Sequence, residues 1–219
     1  MAKVGVLLSG CGVFDGAEIH EAVLTLLALD QQGATAVCCA PNVKQAAVID
    51  HVTKTPTSEN RNVLTEAARI ARGEIRDVAT VKAAELDALI LPGGFGAAKN
   101  LCNFAEQGPT CTVHPDVERL VGDCLAQGKP IGAICIAPAL LARIAGKRGV
   151  KAKLTIGNDA QVSQAIVTMG CLHEQRPVTD IAVDAEHKVV STPAYMLGPG
   201  PAAVFEGIRK LVQQVLSMA

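Results

Sequence analysis

At 219 residues, 49% of them hydrophobic, the chain has enough apolar material for one large α/β domain or two small ones. A formal net charge of −1 and only 2% aromatic residues argue against nucleic-acid binding, which draws on a basic field and stacking rings. No apolar run approaches the roughly 20 residues of a membrane span, and the opening MAKVGVLLSGCGVFDG is no secretory signal, so a cytoplasmic protein without membrane partners is expected.

Strand-like and helix-like patterns alternate from the start. Residues 4–8 read as a short buried strand, 17–29 as an amphipathic helix and 34–40 as a second strand after Gly33. Apolar residues at helical spacing predict a helix over 60–75, with Ser58 or Asn60 as its cap. ALIL (88–91) is a strand running into PGGFG, 115–127 is helical up to Gly128, and 130–134 is a strand followed by a helix over 136–145. KLTI (153–156) and a helix over 160–169 continue the alternation, 181–183 and 189–191 read as a hairpin around DAEHK, and 201–216 is a final amphipathic helix. With no linker or repeat, residues 1–219 read as one α/β domain, a mostly parallel doubly wound sheet between helical layers.

Ligands of such sheets sit beyond the carboxyl ends of the strands. Three unusual segments fall there: SGCGVFDGAE, PGGFGAAKN and CIAPA. The last lies in GAICIAP, where Ala133 and Ala137 stand two positions either side of Cys135. A sharp strand-to-helix turn around a nucleophile needs small residues at those positions. Such an elbow would expose the sulfur and aim helix amides at it, favouring a thiolate. The Gly93-Gly94 turn and Ile136 could each lend a backbone amide to an oxyanion hole. A buried cysteine in a small-residue junction is the plainer alternative. The other seven cysteines (11, 38, 39, 102, 111, 124 and 171) show neither Cys-x-x-Cys nor zinc spacing and read as reduced thiols, mostly small hydrophobes.

LILPGGFGAAKNL and GKPIGAICIAPALL resemble the ThiJ/PfpI branch of the class I glutamine amidotransferase-like superfamily. VGVLLSGCGVFDGAEIHEAVLTLLAL, RNVLTEAARIARGEI, LTIGND and VSTPAYM extend the resemblance to the ElbB-type members, associated with isoprenoid biosynthesis and also described as glyoxalases. The resemblance spans nearly the whole chain. It implies a flavodoxin-like three-layer αβα sandwich with a nucleophile elbow, and a homodimer, for which Leu7, Phe14 or the segment around Phe104 could form the interface.

By the same resemblance, Cys135 is the nucleophile, Glu18 in DGAEIHE its proton-carrying partner, and the amides of Gly94 and Ile136 the oxyanion donors. From chemistry alone Glu18 could equally be a first-turn acid suited to a helix dipole. The histidine that relatives often carry in the next strand is missing, with Gly157 in its place, and no His-x-Glu pair stands near the C-terminus. Glutamine hydrolysis is therefore not expected, and peptide hydrolysis lacks an acid for the amine leaving group.

A small dicarbonyl aldehyde asks less of the site. The resemblance implies attack of Cys135 on glyoxal or methylglyoxal, a proton shift through Glu18 and release of the 2-hydroxy acid, with no cofactor, metal or glutathione. Of the five histidines, His20 follows Glu18 by two positions and points elsewhere, and His173 could reach the pocket or face water. His51, His114 and His187 have no evident partner. Two rivals stand beside this reading. SGCGVFDG has the outline of a phosphate loop, although Asp15 occupies the third glycine's place and would repel a pyrophosphate. A redox-sensing, chaperone-like or deglycase-like stress protein would use the same cysteine.

Overall fold

The computed structural model describes residues 1–219. Its first half contains β1 (Lys3–Leu7), α1 (Ile19–Gln31), β2 (Thr35–Ala40), the short strands β3 (Ile49–Asp50) and β4 (Thr55–Pro56), α2 (Val63–Ile70), β5 (Arg76–Asp77), β6 (Ala88–Leu91), α3 (Phe95–Lys99) and α4 (Phe104–Gln107). The second half contains α5 (Pro115–Ala126), β7 (Ile131–Ile134), α6 (Ala137–Lys147), β8 (Lys153–Leu154), α7 (Ala160–Thr168), β9 (Leu172–His173), β10 (Ala182–Asp184), β11 (Val189–Thr192) and α8 (Pro201–Ser217).

Seven strands form the central sheet in the order β10-β11-β7-β6-β1-β2-β5. Every pairing in it is parallel except the β10–β11 hairpin. β6, β7 and β11 are buried along their whole length, which is why they read as unbroken apolar runs rather than alternating ones. Their side chains still alternate between faces. Leu7, Leu89, Leu91 and Ile131 pack with α5 and α6 on one side, while Val4, Val6, Ile90 and Val190 pack with α1 and α8 on the other. Two cores on opposite faces of one sheet make the three-layer αβα sandwich.

The departures from the expected elements have local causes. α2 begins only after Asn62, whose side-chain oxygen accepts from the Thr65 amide at 3.0 Å; neither Ser58 nor Asn60 is the cap. It ends early because Arg72 and Gly73 take left-handed conformations, with φ of 54° and 88°. β8 pairs with β9 in a separate small sheet, so KLTI does not extend the central one. Leu7 is fully buried in the core, which removes it as an interface residue, whereas around the buried Phe104 the residues Ala105, Glu106 and Gln107 are exposed.

In the strand order, β7, β6 and β1 are neighbours. The loops that leave their carboxyl ends are SGCGVFDGAE, PGGFG and CIAPA, so the sheet brings together three segments that lie far apart in the chain.

Candidate active site

Cys135 sits between β7 and α6 with φ of +61°, a left-handed conformation that a non-glycine residue holds only under constraint. The constraint is visible: its amide donates to the Thr192 carbonyl at 3.0 Å, tying the turn to β11. Ala133 and Ala137 on either side are fully buried, where larger side chains would find no room. Pro138 occupies the first turn of α6, where no amide proton is needed.

The PGGFG loop supplies the opposite wall. A β-carbon added to Gly93 would lie 2.5 Å from the Cys135 β-carbon, 2.6 Å from Glu21 Oε2 and 3.0 Å from the sulfur. Glycine at 93 is therefore what lets a thiol and a carboxyl meet here. Gly94 has φ of +92°, and a side chain on it would collide with the backbone of Gly16 and Glu18. The amides of Gly94 and Ile136 face the Cys135 sulfur and favour its charged form. Both sequence-predicted donors are thus brought to Cys135.

Glu18 is not brought to it. Its amide donates to the Gly93 carbonyl at 3.0 Å, which holds residue 18 extended and delays the helix to Ile19. Its carboxyl then folds back as the cap of α1, with Oε2 accepting from the Glu21 amide at 2.7 Å. The carboxyl that touches the thiol belongs to Glu21. That side chain is fully buried, with Oε2 accepting from the Gly93 amide at 2.9 Å, Oε1 from the Tyr195 amide at 3.3 Å, and the Cys135 thiol beside it. A signal for Glu21 existed: it shares the buried stripe of α1 with Thr25 and Ala28, where an acid has no ordinary reason to be.

Burial, reinforced by the Glu18 charge, pushes the Glu21 carboxyl up to about 8, while the hydrogen bonds from Tyr195, Cys135 and Gly93 act in the opposite sense. Burial and then the Glu21 charge push the Cys135 thiol well above its ordinary range, and the amides of Gly94 and Ile136 only partly offset them. The expected thiolate is thus overruled. The helix amides reach the sulfur, but a site only 8% open to solvent next to a carboxyl favours the neutral thiol.

Gly157 has φ of +90°, and a β-carbon on it would meet the Leu197 side chain at 2.6 Å, so Leu197 takes up the room a side chain would need. His173 faces Ile156 N and Ser163 Oγ, each at 3.4 Å, and burial lowers its pKa. His20, exposed in the first turn of α1, pairs through Nδ1 with the Tyr195 hydroxyl at 2.7 Å. Tyr195 was not legible as part of the site: its side chain is ordinary, and its link to Glu21 is through the backbone.

The SGCGVFDG loop makes no phosphate cradle. The Gly12 amide donates to Ala17 O, the Gly16 amide to Gly12 O and the Phe14 amide to His51 Nε2, so these donors are already engaged. No three His, Cys, Asp or Glu side chains are grouped to hold a metal ion, and no helix is long and apolar enough to cross a membrane.

The profile of the DJ-1/PfpI family matches residues 11–183. The human glutamine amidotransferase-like class 1 domain-containing protein 3, mitochondrial, is 45% identical over 227 residues, covering 99% of this chain and 83% of its own. The rat ES1 protein homolog, mitochondrial, is 44% identical and covers 99% and 84%. A crystal structure of an isoprenoid biosynthesis protein with an amidotransferase-like domain, from Ehrlichia chaffeensis, superposes with a TM-score of 0.94 at 36% identity, over 100% of this chain and 99% of that one. Glyoxalase III from Candida albicans shares the fold at a TM-score of 0.65 and 14% identity, over 99% and 97%. The cytoplasmic location expected from the first residues is overturned by these relatives, whose names place them in mitochondria. Their identity along nearly the whole chain, the profile match and the elbow built around Cys135 agree: the chain belongs to the DJ-1/PfpI family.

Proposed function

We propose that this protein is a glutathione-independent glyoxalase, a lyase that converts glyoxal, and by the same steps methylglyoxal, to the 2-hydroxy acid. The observation that carries the reading is a buried thiol paired with a buried carboxyl and faced by two backbone amides. The shared fold of the Candida glyoxalase III is compatible with it and adds no residue-level support. Glu21, not Glu18, takes the proton-shuttle role; Glu18 acts on it through its charge and through the cap of α1.

In the proposed reaction the Cys135 sulfur bonds to one aldehyde carbon as its proton passes to the Glu21 carboxylate and on to the carbinol oxygen. The Gly94 and Ile136 amides hold that oxygen as it gains charge. The Glu21 carboxylate then removes the hydrogen from the hemithioacetal carbon and returns it to the neighbouring carbon through an enediol. This yields a 2-hydroxyacyl thioester. Water cleaves the thioester, releasing glycolate and restoring the thiol, so that glyoxal plus water balances glycolic acid with no outside oxidant. A carboxyl with a pKa near 8 suits both directions of proton transfer at neutral pH.

A peroxide sensor is less well supported, because sulfenic acid forms from the thiolate and this sulfur is held as a thiol. Apparent deglycation would follow from removal of free aldehyde. We further propose the homodimer, with the exposed apolar stripe of Ile19 (43%), Val23 (46%) and Leu27 (40%) on α1 as its contact, in preference to Leu7, Phe14 or the segment around Phe104. The decisive test is steady-state glyoxal consumption with chelator present: Cys135→Ala and Glu21→Gln should each abolish turnover. Undiminished turnover in Cys135→Ala would overturn the assignment.

A further inference from the structure

Resting on the glyoxalase reading, we propose that Tyr195, held by His20, is a substrate-binding residue of this site, its hydroxyl donating to the second carbonyl oxygen of the dicarbonyl. Tyr195 is the only tyrosine in the chain. It ends a segment bonded to both reacting groups: the Thr192 carbonyl accepts from the Cys135 amide at 3.0 Å, and the Tyr195 amide donates to Glu21 Oε1 at 3.3 Å. Between them Ala194, fully buried, is held at φ of +44°, a left-handed conformation that alanine does not adopt unforced. The strained turn is what aims the Tyr195 amide at Glu21 and carries its ring to the first turn of α1.

There the hydroxyl meets His20 Nδ1 at 2.7 Å, with the two rings 5.7 Å apart. His20 directly precedes Glu21, so imidazole, carboxyl and thiol are linked through one helical turn and one loop. With Nδ1–H donating to the tyrosine oxygen, the hydroxyl proton is free for a ligand. Burial, and then the Glu18 and Glu21 charges, raise the Tyr195 pKa, which keeps that proton in place. The same segment brings Leu197 into the space beside Gly157. Residues 192–197 therefore both leave no room for a side chain at 157 and present a different polar group to the Glu21 carboxyl.

A dicarbonyl has one carbonyl more than the thiol and the two amides can engage. The second oxygen needs its own donor, and a hydroxyl that keeps its proton at neutral pH supplies one. A simple aldehyde such as acetaldehyde has no second oxygen and gains nothing from Tyr195.

The test measures protection of Cys135 from iodoacetamide, followed by the mass of the peptide that carries Cys135, with glyoxal or acetaldehyde as protectant in wild type, Tyr195→Phe and His20→Gln. Wild type should prefer glyoxal over acetaldehyde by about tenfold more than Tyr195→Phe does, the worth of one well-placed hydrogen bond, because the activated carbonyl of a dicarbonyl gives both proteins a preference of its own. His20→Gln should fall between the two, while alkylation without aldehyde stays unchanged. A preference undiminished in Tyr195→Phe overturns the inference, as does an altered alkylation rate without aldehyde, which would mark a merely structural role. Wild type that discriminates between the aldehydes more than Tyr195→Phe does but consumes no glyoxal would overturn the glyoxalase reading and leave this inference standing. Wild type that neither exceeds Tyr195→Phe in discrimination nor turns over would overturn both.

Discussion

Replacing Glu21 by glutamine should change how stability depends on pH, by an amount the structure sets. The carboxyl ionises near 4.5 when free and near 8 in the folded protein, where burial and the Glu18 charge oppose its ionisation. A raised folded pKa gives a contribution fully present below 4.5 and lost as pH rises through 8, because in that window the unfolded chain releases a proton that the folded chain keeps. Across about 3.5 pH units, at 1.36 kcal/mol per unit, the loss is about 5 kcal/mol. Glu21→Gln removes this dependence. It also sets an amide NH2 against one of the two backbone N–H groups of Gly93 and Tyr195, a penalty of about 1–3 kcal/mol that does not vary with pH. The variant should therefore be less stable than wild type at pH 5 and more stable at pH 8.5, with the curves crossing between. Urea unfolding midpoints at these pH values measure it. Parallel curves would refute the claim that Glu21 is held neutral.

The same carboxyl predicts that kcat/KM for glyoxal rises with pH through about 8. In Glu18→Gln the midpoint should move down, since the neighbouring charge that opposes ionisation is gone; an unmoved midpoint would deny that coupling. Gly93→Ala places a β-carbon 2.5 Å from that of Cys135, so glyoxal turnover should fall by about 100-fold or more, with a stability loss of about 1–3 kcal/mol in thermal melts. Near wild-type turnover would show that the loop can move aside. Val23→Glu, which puts charge into the exposed stripe of α1, should shift sedimentation to the monomer, and a dimer that persists would place the interface elsewhere.

Much of the sheet was legible because buried parallel strands leave apolar runs that helical spacing does not mimic. ALIL and PIGAI could be placed in this way, and the glycines and prolines around them marked where each strand ended. The elbow at Cys135 was legible for a related reason: a tight turn excludes bulk, and the exclusion is written as Ala133 and Ala137. α2 was harder to bound, because its last apolar residues keep helical spacing after Arg72 and Gly73 have turned the chain out of the helix. β3 and β4 left no pattern at all, being only two residues each.

The family resemblance pointed to Gly94 as one of the amides; by itself the sequence determined the layer order and the cysteine that would stand at a strand end. These follow from periodicity and from the size of neighbouring side chains, which are properties of short stretches. Only the tertiary structure decided which acid meets the thiol. Glu18 and Glu21 lie three positions apart at one helix start, and the choice between them rests on a single bond from the Glu18 amide to Gly93, more than seventy residues away. The protonation of the pair was decided in the same way. A helix terminus alone favours a thiolate, but burial beside Glu21 outweighs it, and burial is a property of the whole fold.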